Sequence, residues 1–238
     1  MTFGPEPRAA QAQVAVERID EGLRSYMLQV YNYMGLGLAI TGVVAFLVAA
    51  TPALYVPIFT TPLKWVVMLA PLGFVFFLSA RIGSMSTGAA QATFWAFAAV
   101  MGLSMASIFL VFTGASIARV FFITAGTFGA MSLYGYTTKR DLTNWGSFLF
   151  MGLIGIIIAM VVNIFLQSPA LYFAISAIGV VVFVGLTAYD TQQIKEMYYE
   201  GDGADVMTKK TIMGALRLYL DFINLFVMLL QLFGQSRQ

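Results

Sequence analysis

The chain has 238 residues, 60% of them hydrophobic and only 10% charged, with a net charge of +2. Soluble domains carry about 25% charged residues, so folding in water would leave too little polar surface; the mean hydropathy of +0.84 points to a bilayer instead. Cysteine and histidine are both absent, which excludes thiol nucleophiles, disulfides, Ser-His catalysis and the usual zinc or haem ligands, and the near-neutral charge gives no ground for nucleic-acid binding.

Residues 1–26 hold Glu6, Arg8, Glu17, Arg18, Asp20, Glu21 and Arg24. That is too charged for the apolar core of a signal peptide, so this segment reads as an uncleaved polar cytoplasmic arm, helical from Gln11 on. A membrane helix needs about 20 apolar residues. Seven such spans fit in the rest of the chain, at 30–50, 63–82, 91–112, 117–136, 146–166, 170–190 and 212–233. Prolines 52, 57 and 62 make 51–62 a loop, 83–88 is a turn, and 113–116 breaks the third span from the fourth. The polar stretch 137–144 comes after the fourth span, Gln167-Ser168-Pro169 divides the fifth from the sixth, and 191–211 is the longest polar loop. The expected fold is all-α and polytopic, with residues 27–235 forming one seven-helix transmembrane domain.

Lys and Arg distribute unevenly across this topology. Ten fall on the side of the N-terminus and three (Lys64, Arg119 and Arg237) on the other. By the positive-inside rule the N-terminus is cytoplasmic and the C-terminus outside, unless the last segment is re-entrant. Lys139-Arg140 reads as part of this orientation signal. Thr51-Pro52-Ala53-Leu54-Tyr55 and Ser168-Pro169-Ala170-Leu171-Tyr172 echo each other in two outside loops, which raises an internal repeat of the kind transporters use. Glycines such as Gly35, Gly37, Gly152 and Gly155 are expected to allow close helix contacts, and the fourteen Met to fill core and lipid-facing gaps.

Ionisable groups inside a membrane are expensive and by default suggest function. Asp190 closes the sixth span, Asp221 lies inside the seventh, and Arg81 ends the second, all toward the same face of the membrane. Two carboxylates close together in a low dielectric do not both ionise cheaply, so the pair is expected to share a proton and titrate as a unit, with Arg81 as counter-charge. The plainer alternative is a helix-end Asp190, an i, i+4 pair of Arg217 with Asp221, and a snorkelling Arg81. Calcium takes six to eight oxygens; Asp190 and Asp221 with an amide such as Asn224 would bind it weakly, as a pathway requires.

Other seven-helix classes fail on composition. A retinal Schiff base needs a lysine within a span, yet all five lysines lie at ends or in loops. A zinc hydrolase needs histidines. An intramembrane aspartyl protease would use two Asp as acid and base, and Tyr189-Asp190 is similar to its first motif. Its second motif, Gly-x-Gly-Asp, is missing, because Asp221 sits in Leu218-Tyr219-Leu220-Asp221-Phe222. No enzyme activity is expected.

Several strings resemble the bacterial branch of the Bax inhibitor (transmembrane Bax-inhibitor-motif, YccA-like) family. They are Ser132-Leu133-Tyr134-Gly135-Tyr136-Thr137-Thr138-Lys139-Arg140-Asp141-Leu142-Thr143, Trp145-Gly146-Ser147-Phe148-Leu149, Tyr189-Asp190-Thr191-Gln192-Gln193-Ile194 and Leu218-Tyr219-Leu220-Asp221-Phe222-Ile223-Asn224-Leu225-Phe226. The resemblance implies six helices wrapped around a central seventh and a pH-sensitive calcium leak in the inner membrane. It also implies that Asp190 and Asp221 form the pH sensor, with an Arg of the second span, here Arg81, as partner. Calcium is then a permeant ion rather than a cofactor. Some bacterial members are linked to the membrane protease FtsH, which makes a non-conducting regulator of such a protease the alternative.

Overall fold

A computed structural model describes residues 7–237, with side chains from Asp20 onward. It contains eight helices: α1 (Pro7–Ala50), α2 (Pro52–Thr60), α3 (Leu63–Arg81), α4 (Thr87–Val111), α5 (Gly114–Thr137), α6 (Thr143–Leu166), α7 (Pro169–Glu196) and α8 (Ala204–Phe233). All but α2 are long and apolar enough to cross a membrane.

Three boundaries differ from the sequence reading. Helix α1 begins at Pro7 and runs unbroken into the first span, so nothing separates the arm from that span. The proline-rich stretch 51–62 is not simply a loop but contains α2. Pro52 stands in its first turn, where the missing N–H is no loss, and the helix stops before Thr61-Pro62. The polar stretch 191–211 is mostly helical too: α7 continues to Glu196 and α8 starts at Ala204, leaving a connection of residues 197–203. Lys210 ties that connection down through an ion pair with Asp202 and a bond to the Met197 carbonyl. The echoing strings turn out to start two unequal elements, the nine-residue α2 and the 28-residue α7. Their common Pro-Ala-Leu-Tyr is therefore a helix-start signature, not the trace of equivalent repeats.

Helix α8 is the axis of the fold, packed against α1, α4, α5 and α7. Within its apolar window 72% of the residues are buried, against 11% for α6. Tyr219 of α8 shows how the axis is fixed. Its ring meets Phe94 and Phe97 of α4 edge-on. Its hydroxyl lies 2.6 Å from Thr41 Oγ1 of α1, and Thr41 donates to the Ala98 carbonyl of α4 at 2.8 Å. One buried polar junction thus joins three helices. In α3, Pro71 has no N–H to offer the carbonyl of Val67, and Ser104 of α4 donates to that carbonyl instead.

Two glycines permit backbone approach. A Cβ at Gly135 would fall within 2.2 Å of the Ala188 carbonyl, and one at Gly102 within 2.8 Å of the Thr41 carbonyl. Of the glycines singled out from sequence, Gly37 and Gly152 face side chains of neighbouring helices, while Gly35 and Gly155 face open space.

The chain ends opposite the α3–α4 turn. Thr113 N–H donates to the Gln235 carbonyl, Arg237 N–H donates to the Val111 carbonyl, and Phe112 bridges Ser236. At the other end of α8, Lys209 donates to the Gly83 carbonyl. Helix α8 therefore traverses the bundle once, and among the described residues none after it turns back into the bundle.

Candidate functional site

The antiparallel helices α7 and α8 bring Asp190 and Asp221 together. The sequence reading has Asp190 closing a span; it lies instead within α7, more than a turn before Glu196. Asp221 lies about 25 Å along α8 from Ala204, at 1.5 Å per residue, and so in the middle of the bundle's central helix. The residue is 5% exposed, and its Oδ2 is buried without a hydrogen-bond partner. The Asp190 side chain, 17% exposed, is the neighbouring carboxyl. A carboxyl in so dry a place costs several kcal/mol on order-of-magnitude grounds unless it is paired, and the neighbouring Asp190 carboxyl is the group placed to pair with it.

The basic group beside the carboxylates is Arg217 rather than Arg81. Arg217 Nη1 is 3.9 Å from Asp190 Oδ1. Arg217 stands one helical turn before Asp221 on α8, and in place of the i, i+4 pair of the plainer alternative its ion pair runs across to Asp190 of α7. Arg81, assigned to this role from its span, is exposed at the end of α3 and forms no ion pair with either carboxylate. Arg81 does end the second span, as its position in the sequence indicates, but α3 packs on α2 and α4 rather than on α7, and that neighbourhood is not available from spacing. Asn224 turns its amide N–H back to the Leu220 carbonyl at 2.8 Å. Among the described residues no three acidic side chains gather. The two carboxylates and Asn224 fall well short of a tight calcium cage.

The surroundings of Asp190 contain groups that do not stand out in the sequence. Thr191 Oγ1 is 2.9 Å from Ser132 Oγ of α5, which is 2.6 Å from the Tyr31 hydroxyl of α1. Gln192 accepts from Leu142 N–H and donates to the Arg140 carbonyl, both at 2.8 Å, which staples the α5–α6 connection to α7. The available signal is the run Asp190-Thr191-Gln192-Gln193 in an otherwise apolar helix. Tyr26 of α1 is 2% exposed with an unpartnered hydroxyl, and its ring is 5.8 Å from that of Tyr198.

These features define a polytopic α-helical membrane protein with a paired-carboxylate site on its central helix hairpin. The chain belongs to the Bax inhibitor family: residues 23–238 match the family described as "Inhibitor of apoptosis-promoting Bax1". Among its relatives, an uncharacterized protein of Rickettsia prowazekii is 52% identical over 92% of both chains. The inner membrane protein YbhL of Escherichia coli is 51% identical, over 91% of this chain and 94% of its own. An uncharacterized membrane protein of Streptococcus pyogenes is 31% identical, over 91% and 95%.

Proposed function

We propose that the protein is a pH-sensitive cation leak of the bacterial inner membrane, with calcium as the permeant ion and the Asp190–Asp221 pair as its proton switch. The observation that carries this reading is Asp221 itself, a buried carboxyl with an unpartnered oxygen on the central helix, next to a second carboxyl. One proton shared across the pair holds α7 to α8. Loss of that proton leaves two like charges side by side, with Arg217 able to balance one of them. The second charge is then free to attract a passing cation, and sparse ligation lets the ion leave. The Lys/Arg asymmetry supports a cytoplasmic N-terminus and an outside C-terminus. No catalytic step and no resident cofactor belongs to this reading.

Calcium flux into proteoliposomes of the pure protein between pH 5 and 8 tests it. Wild type is expected to change its flux across that range. Asp190→Asn and Asp221→Asn should each flatten the response, and the double variant should add little to either single one, because residues acting as a unit are not additive. Arg217→Gln should displace the pH profile and Arg81→Gln leave it in place. Additive effects with an intact pH response would remove the switch. A cysteine placed at position 237 should react with a membrane-impermeant reagent from the periplasmic side.

The second reading is a non-conducting regulator of an FtsH-type membrane protease. It draws on α1, whose 44 residues extend about 66 Å, against about 30 Å of hydrocarbon. The part that projects is a handle a protease could hold. A flux that is absent at every pH, combined with co-purification dependent on residues 1–26, would favour it.

A further inference from the structure

Helix α1 packs on α4 and α8 while α5 packs on α7 and α8, and α1 and α5 scarcely touch one another. The hydrogen bond between the hydroxyls of Tyr31 and Ser132 spans the gap between them. Around it is a cleft of about 460 Å³, within the size range of small-molecule pockets, about 300–1,000 Å³. Its walls are largely apolar, with Met27 and Leu28 from α1 facing Phe128, Gly129 and Leu133 from α5. The position of the cleft on the bundle's flank turns it toward the bilayer, since Leu28 and Leu133 are 52% and 63% exposed.

One end of this cleft is different. Arg24 and Tyr136 line it there. Behind Tyr136, Lys195 donates to the Tyr136 carbonyl at 2.9 Å and stands 5.3 Å from the centre of its ring. An apolar trough with a guanidinium at its rim, backed by an ammonium, matches an amphiphile with a negative head and a hydrocarbon tail. Basic pockets between membrane helices take phospholipid head groups in this manner.

We propose that the α1–α5 cleft is a binding site for one anionic phospholipid, its phosphate on Arg24 and an acyl chain laid between Met27, Leu28, Phe128, Gly129 and Leu133. Tyr31 and Ser132 line the cleft, and behind them Ser132 meets Thr191, the residue after Asp190, so one layer of side chains would separate the lipid from the helix that carries the carboxylate. The site stands independently of whether the protein conducts ions.

Native mass spectrometry of the full-length protein with phosphatidylglycerol or phosphatidylcholine of the same acyl chains tests the site. Wild type should retain one phosphatidylglycerol in preference to phosphatidylcholine. Arg24→Gln should reduce that preference about fivefold, the influence of one basic residue on anionic lipid. Gly129→Phe should abolish retention of both lipids, because a Cβ at Gly129 meets nothing within 4 Å and a ring there fills the trough. Arg24 is an exposed side chain, so its replacement tests the head-group contact even if Gly129→Phe fails to fold. Equal retention of the two lipids by wild type, an unchanged preference in Arg24→Gln, or a dimer in place of a lipid-bound monomer would each overturn the proposal.

Discussion

Helices α6 and α8 make opposite use of the bilayer. The apolar window of α6 is the more hydrophobic, with a mean hydropathy of 2.7 against 1.7 for α8, yet 11% of its residues are buried and 72% of those in α8. In water that order would be reversed, because burial is what apolar residues gain. In lipid the outer surface is already an apolar solvent, and the interior is selected by packing and by polar groups that need partners. Thus α6 turns Phe150, Ile158, Ile164 and Phe165 outward, while α8 buries Tyr219, Asp221 and Thr211.

The contrast is sharpest when one large aromatic is removed from each helix. Tyr219→Ala leaves a hole between Phe94 and Phe97 and takes one hydrogen-bond partner from Thr41, and should destabilise by about 3–5 kcal/mol. Phe165 of α6 is 82% exposed, and Phe165→Ala should change stability by less than about 0.5 kcal/mol. Thermal unfolding of both variants in the same detergent checks this. Equal losses would mean that α6 is covered by something that the single chain does not contain.

Glycines repeat the test at a smaller scale. Gly135→Leu forces a side chain into the Ala188 carbonyl and pushes α5 from α7, for a loss of about 1–3 kcal/mol. Gly155→Leu, on α6 with open space before it, should be neutral or slightly stabilising, since leucine is the better helix former. A Tm for Gly155→Leu as low as that for Gly135→Leu would contradict the lipid-facing assignment of α6.

The sequence carries the count of spans, their approximate ends and the identity of the two carboxylates, because a bilayer makes a long apolar run and an intramembrane charge both conspicuous. What it does not carry is which helices become neighbours and how each is rotated about its axis. Arg81 and Arg217 are both visible as charges on membrane helices, but α3 packs on α2 and α4 while α8 packs on α7, and it is this choice of neighbours that decides which one reaches Asp190. The same applies to glycine. Gly35 and Gly135 look alike in a string of letters, yet one faces open space and the other a neighbouring backbone. The helical parts of 51–62 and 191–211 are hidden for a different reason. Proline in a first turn and a run such as Thr191-Gln192-Gln193 both read as loop when their partners are unknown.

The smallest expected effect lies outside the membrane, where α6 begins. Asp141 Oδ1 accepts from Thr143 N–H at 2.8 Å. The Thr143 hydroxyl and then its backbone N–H hold the Asp141 carboxyl below the ordinary carboxylate range. A negative charge at this position also suits the positive end of α6. The sign is set by linkage. A carboxyl whose folded pKa is depressed adds stability above its unfolded pKa, and that contribution disappears as pH falls through the lower, folded value. Asp141→Ala should therefore lower the Tm slightly at neutral pH, by less than Gly135→Leu, and the gap from wild type should shrink as the solution is acidified below the ordinary Asp range. Asp141→Asn keeps an oxygen for Thr143 N–H but no charge, so it should recover part of the loss with no dependence on pH. A gap between wild type and Asp141→Ala that stays constant down to the lowest pH at which the fold survives would show that the turn geometry, rather than the carboxylate's charge, is what starts α6.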